Sequence, residues 1–127
     1  HPRTHSKLVE TGLIKQFREN VLLLDPVSYL PFIKLINSAS FVITDSGGIQ
    51  EETSALGVPC FTMRNNTERP ITIELGSNEL IGENPDQELI RIIVTDVPSV
   101  RTRCNIPLWD GNAATRIANK ISQLYEK

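Results

Sequence analysis

Residues 45–52, Asp45-Ser46-Gly47-Gly48-Ile49-Gln50-Glu51-Glu52, carry both the side chains and the missing side chains that an anion site needs. Gly47 and Gly48 lack a Cβ, so a phosphate can come close to their backbone. Ser46 adds a hydroxyl donor. Such a site works when several backbone N–H groups are unpaired and point the same way. The first turn of a helix supplies that arrangement at the positive end of its dipole. The sequence predicts a helix here. Phe41-Val42-Ile43-Thr44 reads as a short buried strand, and Thr53-Ser54-Ala55-Leu56-Gly57 as the rest of a helix closed by a glycine. Strand, Ser-Gly-Gly turn and helix start together point to a phosphorylated ligand.

Other polar residues fall near the same place. Glu52 lies one helical turn after Gly48, so it can face the same ligand at a distance. A carboxylate accepts hydrogen bonds from a vicinal diol, and a ribose beside a diphosphate offers one. A solvated helix face is the alternative for Glu52, and it is the reading for Glu51. In Arg64-Asn65-Asn66-Thr67-Glu68-Arg69-Pro70 an arginine can fork onto phosphate oxygens. Arg69 is either that group or an exposed loop residue, with Pro70 stiffening the chain beside it. Phe32 reads first as a core residue, stacking on a base being the alternative. Neither GxGxxG nor GxxxxGK[ST] is present. His1 and His5 have no spacing for a metal site, no Ser-His-Asp set assembles, and His5 reads as solvated. A receiver domain would need acidic residues clustered after its first strand and a late lysine, and neither is found.

Positioning these residues takes an alternating chain. A helix is expected over residues 6–11, then Gly12 and a loop. The apolar run 21–24 reads as a strand, bounded by Asn20 and Asp25-Pro26. Ser28 is a possible N-cap for a helix to Ser38, with Leu30, Ile33, Leu35 and Ile36 apolar and Pro31 in the first turn. After the Ser-Gly-Gly helix come a strand over 58–63, the polar loop 64–70 and a short strand over 79–82. Pro85 opens a helix to about Val94, followed by a loop holding Pro98 and Pro107. Asn112 caps a last helix to about Tyr125, with Ile117, Ile121 and Leu124 as its apolar stripe. Alternating strands and amphipathic helices predict an α/β fold, a Rossmann-like parallel sheet with helices on both faces. Ligands on such sheets bind outside the carboxyl ends of the strands. The turn after Thr44 and the loops after Leu24 and Met63 are expected to converge there.

At 127 residues and 39% apolar content the chain reads as one domain with enough material for a core. Fifteen acidic against thirteen basic residues give a net charge of −2 with no basic run, which argues against a nucleic-acid partner. No stretch approaches the roughly 20 apolar residues of a membrane span, and no secretory signal is visible. Cys60 sits in an apolar run, and Cys104 lies far from it without CxxC or histidine spacing. They read as buried or idle cysteines of a reducing, cytoplasmic compartment. His1-Pro2-Arg3-Thr4 opens on loop chemistry where an alternating chain should have a strand. Material upstream of His1 is therefore expected, with a natural start on an open sheet edge as the alternative.

Taken together, Asp45 to Glu52, then Leu56-Gly57-Val58-Pro59, then Met63-Arg64-Asn65-Asn66-Thr67-Glu68-Arg69-Pro70 resemble the non-hydrolysing UDP-N-acetylglucosamine 2-epimerase family. Leu24-Asp25-Pro26-Val27-Ser28-Tyr29-Leu30-Pro31-Phe32 and Asp110-Gly111-Asn112-Ala113-Ala114-Thr115-Arg116-Ile117 resemble its flanking segments. SGGxQEE with TERP about fifteen residues later is a specific combination, where SGG alone is weak. The resemblance implies two Rossmann-like domains in the GT-B arrangement, a cleft between them, and a chain that corresponds over 1–127 to the second, UDP-binding domain only. It implies that Ser46, Gly47 and Gly48 hold the diphosphate with Arg69 near it. Glu52 would hold the ribose hydroxyls, and Phe32 would pack on the uracil. His1 matches the histidine of an HPxx segment that contributes to a second, regulatory UDP-sugar site in some bacterial members; the segment here is HPRT.

The implied reaction inverts C2 of the sugar, interconverting UDP-GlcNAc and UDP-ManNAc. UDP is eliminated to leave a 2-acetamidoglucal and is added back after reprotonation on the other face. The family's acid/base carboxylates belong to the first domain, and an important histidine lies upstream of His1. No catalytic residue is therefore expected within this chain, which by itself would be inactive. No metal, nicotinamide or other cofactor is implied. The partners implied are a UDP-sugar, the N-terminal domain and a second copy in a homodimer, in polysaccharide biosynthesis. The competing readings are another GT-B enzyme, a glycosyltransferase or a hydrolysing epimerase, against which the TERP segment argues, and a non-enzymatic α/β binding module.

Overall fold

The computed structural model describes residues 1–17, 21–96 and 104–125. They fall into two compact units, His1–Lys34 and Leu35–Lys127. In the first unit, helix α1 (Pro2–Glu10) starts four residues before the position expected from sequence. Two residues explain the early start. Pro2 suits the first turn, where its missing N–H costs nothing. His1 is the N-cap, its Nδ1 accepting the Arg3 N–H at 3.3 Å. The helix ends at Thr11, whose hydroxyl donates to Lys7 O at 2.7 Å. Gly12 then turns the chain with φ 69°, and a 3₁₀ turn covers Leu13–Gln16.

The expected strand over residues 21–24 is not formed. All four residues are exposed, Leu22 at 79%, and they carry no regular structure. A strand exists through the ladder it makes with a neighbour. Among the described residues none pairs with this run. Helix α2 (Tyr29–Ser38) follows, with Pro31 in its first turn as expected and Ser28 O accepting the Phe32 N–H at 3.1 Å. Of its four apolar positions only Ile36 is buried.

The second unit carries a three-stranded parallel sheet, β1 (Val42–Thr44), β2 (Cys60–Thr62) and β3 (Asn78–Leu80), in that order. Val42 pairs with Cys60 and Cys60 with Asn78. The parallel α/β class expected from the alternation is thus observed. Helix α3 (Gly47–Leu56) connects β1 to β2. It stops at Gly57, which has φ 68° and returns its N–H to the last turn. A short helix α4 (Ile71–Glu74) lies between β2 and β3 and was not expected. Pro70 marks its start, since proline is tolerated just there. Helix α5 (Gln87–Asp96) begins one residue after Asp86, whose carboxylate accepts the Leu89 N–H at 2.7 Å. Helix α6 (Ala113–Tyr125) closes the chain. Pro98 lies outside the described residues.

The apolar stripe expected on α6 is exposed. Ile117, Ile121 and Leu124 are 60%, 49% and 66% exposed, and no described residue covers them. The core sits instead around β2, where α3 packs on β2, β3 and α4. It is unusually polar. Val58, Cys60, Ile81 and Ile93 are buried, but so are Gln50, Thr53, Ser54, Thr62, Thr72 and Asn78. Gly76 lets the chain pass: a Cβ there would strike the Thr72 backbone carbonyl and the Ser54 hydroxyl. Among the described residues no helix is long and apolar enough to cross a membrane.

Candidate anion-binding site

Gly47 and Gly48 form the first turn of α3, directly beyond the carboxyl end of β1. Ser46 is the N-cap residue, extended at φ −85° and ψ 127°, yet its side chain makes no capping bond. Its own N–H is taken by Thr44 Oγ1 at 3.1 Å. The first-turn N–H groups of α3 therefore lack the side-chain acceptor that a serine in this place usually offers. A Cβ on Gly48 would meet nothing within 4 Å, so its surface is open. Gly47 differs. A Cβ there would lie 2.5 Å from Arg69 Nη1 and 3.0 Å from Glu68 Oε1. Glycine at this position is what allows the guanidinium to rest against the helix start.

Arg69 is thereby brought against the Ser-Gly-Gly turn. A cation at a helix N-terminus opposes the dipole. Two carboxylates offset it. Glu51 Oε2 stands 3.1 Å from Nε, and Glu68 Oε1 stands 2.7 Å from Nη1. Glu51, and after it Glu68, raise the guanidinium further above its ordinary value. Glu68 also pairs with Arg64 Nη1 at 3.0 Å. Its own backbone N–H and then the two arginines hold its carboxyl below the usual range. The Arg69 contacts are oblique: buried Nε and Nη1 meet their carboxylates at ion-pair distance without hydrogen-bond geometry. Their donor capacity stays available to an acceptor with better alignment. The expectation that Glu51 faces only solvent is corrected here: one turn into α3, it reaches the Arg69 loop.

Glu52 is half-buried on α3, and among the described residues it has no ion pair. Phe32, half-buried on α2, and His1, the cap of α1, belong to the first unit. His1 lines a cavity of about 330 Å³ there, with His5, Leu24 and Asp25. Cys60 is buried and Cys104 half-buried, and neither is in a disulfide. Burial pushes both thiols up. Among the described residues no cluster of His, Cys, Asp and Glu could hold a metal ion.

Sequence reasoning passed over the residues that fix this geometry. Gln50, fully buried, accepts from Thr67 Oγ1 at 2.6 Å and from Asn78 Nδ2 at 3.1 Å. Thr67 in turn accepts the Arg69 N–H at 3.1 Å. A signal existed: Gln50 and Thr67 belong to the two segments, SGGxQEE and TERP, whose joint occurrence is so specific. A glutamine in the fourth helical position faces the sheet, where the apolar pattern gave no reason to expect an amide.

Comparison with known proteins bears on the family and the fold. The profile of the family described as UDP-N-acetylglucosamine 2-epimerase matches residues 1–122. The UDP-N-acetylglucosamine 2-epimerase of Methanococcus maripaludis is 46% identical over 95% of this chain and 33% of its own length. That of Methanocaldococcus jannaschii is 41% identical over 96% and 33%. The crystal structure of the M. jannaschii enzyme in complex with UDP-GlcNAc and UDP superposes with a TM-score of 0.78 at 38% identity, over 97% of this chain and 34% of that one. The Staphylococcus aureus MnaA–UDP structure gives a TM-score of 0.81 at 27% identity, covering 99% and 34%. The chain thus spans about a third of the length of the relatives it matches. With a parallel α/β sheet, a Ser-Gly-Gly helix start beside an arginine, and a family match over nearly its whole length, the chain belongs to the UDP-N-acetylglucosamine 2-epimerase family.

Proposed function

We propose that residues 1–127 are the UDP-holding, C-terminal domain of an enzyme that interconverts UDP-GlcNAc and UDP-ManNAc. The observation that carries this reading is the Arg69 guanidinium lying over Gly47, at an uncapped helix start on the carboxyl end of β1. The diphosphate would lie on the N–H groups of Gly47 and Gly48, with the Ser46 hydroxyl and the Arg69 donors on its oxygens. Glu52 would take the ribose diol, and Phe32 would pack on the uracil. In the reaction a base removes the C2 proton, the C1–O bond breaks, and UDP leaves with the bonding pair. Positive groups aimed at the diphosphate stabilise that departing charge, and the same groups hold UDP for re-addition. The proton transfers fall to a domain outside this chain. The intact protein is proposed to work as a cytoplasmic homodimer.

Calorimetric titration of the chain with UDP and with AMP tests the reading. UDP is expected to bind more tightly. Equal binding of both, or binding of neither, contradicts a uridine diphosphate site. A Glu52→Gln variant should weaken UDP more than it weakens 2′,3′-dideoxy-UDP, and equal losses contradict the diol assignment.

A further inference from the structure

The backbone of Arg69 is gripped on both sides. Its N–H donates to Thr67 Oγ1 at 3.1 Å, and its carbonyl accepts from Thr72 Oγ1 at 2.8 Å. Both threonines are bound in turn to one pair of buried amides. Thr67 Oγ1 donates to Gln50 Oε1 at 2.6 Å, and Asn78 Nδ2 donates to Thr72 Oγ1 at 3.2 Å. The amides are joined to each other, Asn78 Nδ2 to Gln50 Oε1 at 3.1 Å. The far end is anchored on β2, where the Thr62 hydroxyl donates to Asn78 Oδ1 at 2.5 Å. The directions follow from Thr72, whose one hydroxyl proton goes to the Arg69 carbonyl, so that it can only accept from the Asn78 amide nitrogen. Asn78 Oδ1 is then the acceptor for Thr62, and Gln50 must present its oxygen.

The cost of this arrangement shows that it is not filler. Gln50, Thr62 and Thr72 are fully buried, and among the described residues Gln50 Nε2 has no hydrogen-bond partner. An apolar side chain of similar size would fill the space without a stranded donor. The network links four elements, α3, β2, β3 and α4, to the loop that carries Arg69. That is also a physical reason for SGGxQEE and TERP to occur together.

We infer that Gln50 and Asn78, acting through Thr67 and Thr72, are positioning residues that hold the backbone of Arg69 so that its guanidinium lies over Gly47. The inference rests on the diphosphate reading for its functional meaning, and on the hydrogen bonds alone for its geometry. Two readouts keep these apart. In the unliganded chain, the Arg69 Nε–H signal, assigned by its loss in Arg69→Ala, reports how firmly the guanidinium is held. Thr67→Val removes the hydroxyl at a half-buried loop position and keeps the branched shape, whereas Gln50→Leu risks misfolding. Thr67→Val should broaden or shift that signal, and Thr67→Ser should restore it. In a UDP titration, Thr67→Val should weaken binding about 2- to 10-fold, the range expected for one lost hydrogen bond. In an Arg69→Ala background the same change should have no effect. A merely structural role would give equal losses in both backgrounds and would not move the Arg69 signal. A folded Thr67→Val chain with an unchanged Arg69 signal overturns the inference, whether or not UDP binds. If the parent binds no UDP yet the signal responds as described, the diphosphate reading fails and the positioning stands.

Discussion

Arg69 and Glu68 act in opposite directions on the same few ångströms above Gly47. Arg69 offers donors to an anion, while Glu68 places a carboxylate 2.7 Å from Nη1, where a phosphate oxygen would compete for it. Arg69→Ala is expected to weaken UDP about 10- to 100-fold and uridine little, the usual effect of losing a charge-assisted hydrogen bond. Glu68→Gln is expected to tighten UDP. If calorimetry shows both substitutions changing UDP and uridine alike, the charge assignment is wrong. The two glycines separate packing from ligand approach. A Cβ on Gly48 has open space, and alanine favours a helix over glycine by up to about 1 kcal/mol. Gly48→Ala is therefore expected to leave the chain as stable or slightly more so in a thermal melt, while UDP affinity falls. A stable variant that binds UDP like the parent would remove Gly48 from the site.

At the scale of elements, α6 is started by a residue outside it. Asn112 takes the cap position expected of it, its carbonyl accepting the Arg116 N–H at 3.1 Å, while its side-chain amide donates back to Asp110 O at 3.2 Å. Asp110 does more. Its carboxylate accepts the Asn112 N–H at 2.9 Å and Arg116 Nη1 at 2.9 and 2.8 Å. The Asn112 N–H, then Arg116, pull its pKa from 3.8 down to about 2. A carboxylate depressed in the folded state stabilises it above its unfolded value. That contribution is lost as pH falls through the folded one. The Asp110 support of α6 should thus be complete above about pH 4 and gone below about pH 2. Carboxyl NMR titration should find the low midpoint in the parent and a rise toward 3.8 in Arg116→Gln. An ordinary midpoint in the parent contradicts the capping role. The elements legible in the sequence were those with local signals. The apolar runs 41–44 and 58–63 gave β1 and β2, the Ser-Gly-Gly turn gave α3, and the Gly57 terminus was read correctly from its residue type. Residues 21–24 misled because an apolar run says nothing about whether a neighbour pairs with it. Helix α4 was missed because four residues are too few to show a period. The Gln50 network and the Glu51–Arg69 pair were invisible because both join residues distant in sequence, which only the fold brings together.

For the whole molecule, the anion site is proposed to lie in this chain and the proton transfers outside it. This chain spans about a third of its relatives' length, and the residues proposed for its site are given binding roles only. Incubated with UDP-GlcNAc in deuterated water, the 127-residue chain is expected to leave C2 unexchanged by NMR. Exchange at a rate comparable to an intact family enzyme would mean that an acid/base set exists within residues 1–127. The central claim concerns where the phosphate charge is received. It is tested most directly by following backbone amide signals while UDP, and separately uridine, is added to the labelled chain. The Gly47 and Gly48 amides and the Arg69 Nε–H should shift together with UDP, saturate at one affinity, and stay in place with uridine. UDP that binds while those signals stay still, or uridine that moves them equally, would contradict a diphosphate held at the start of α3.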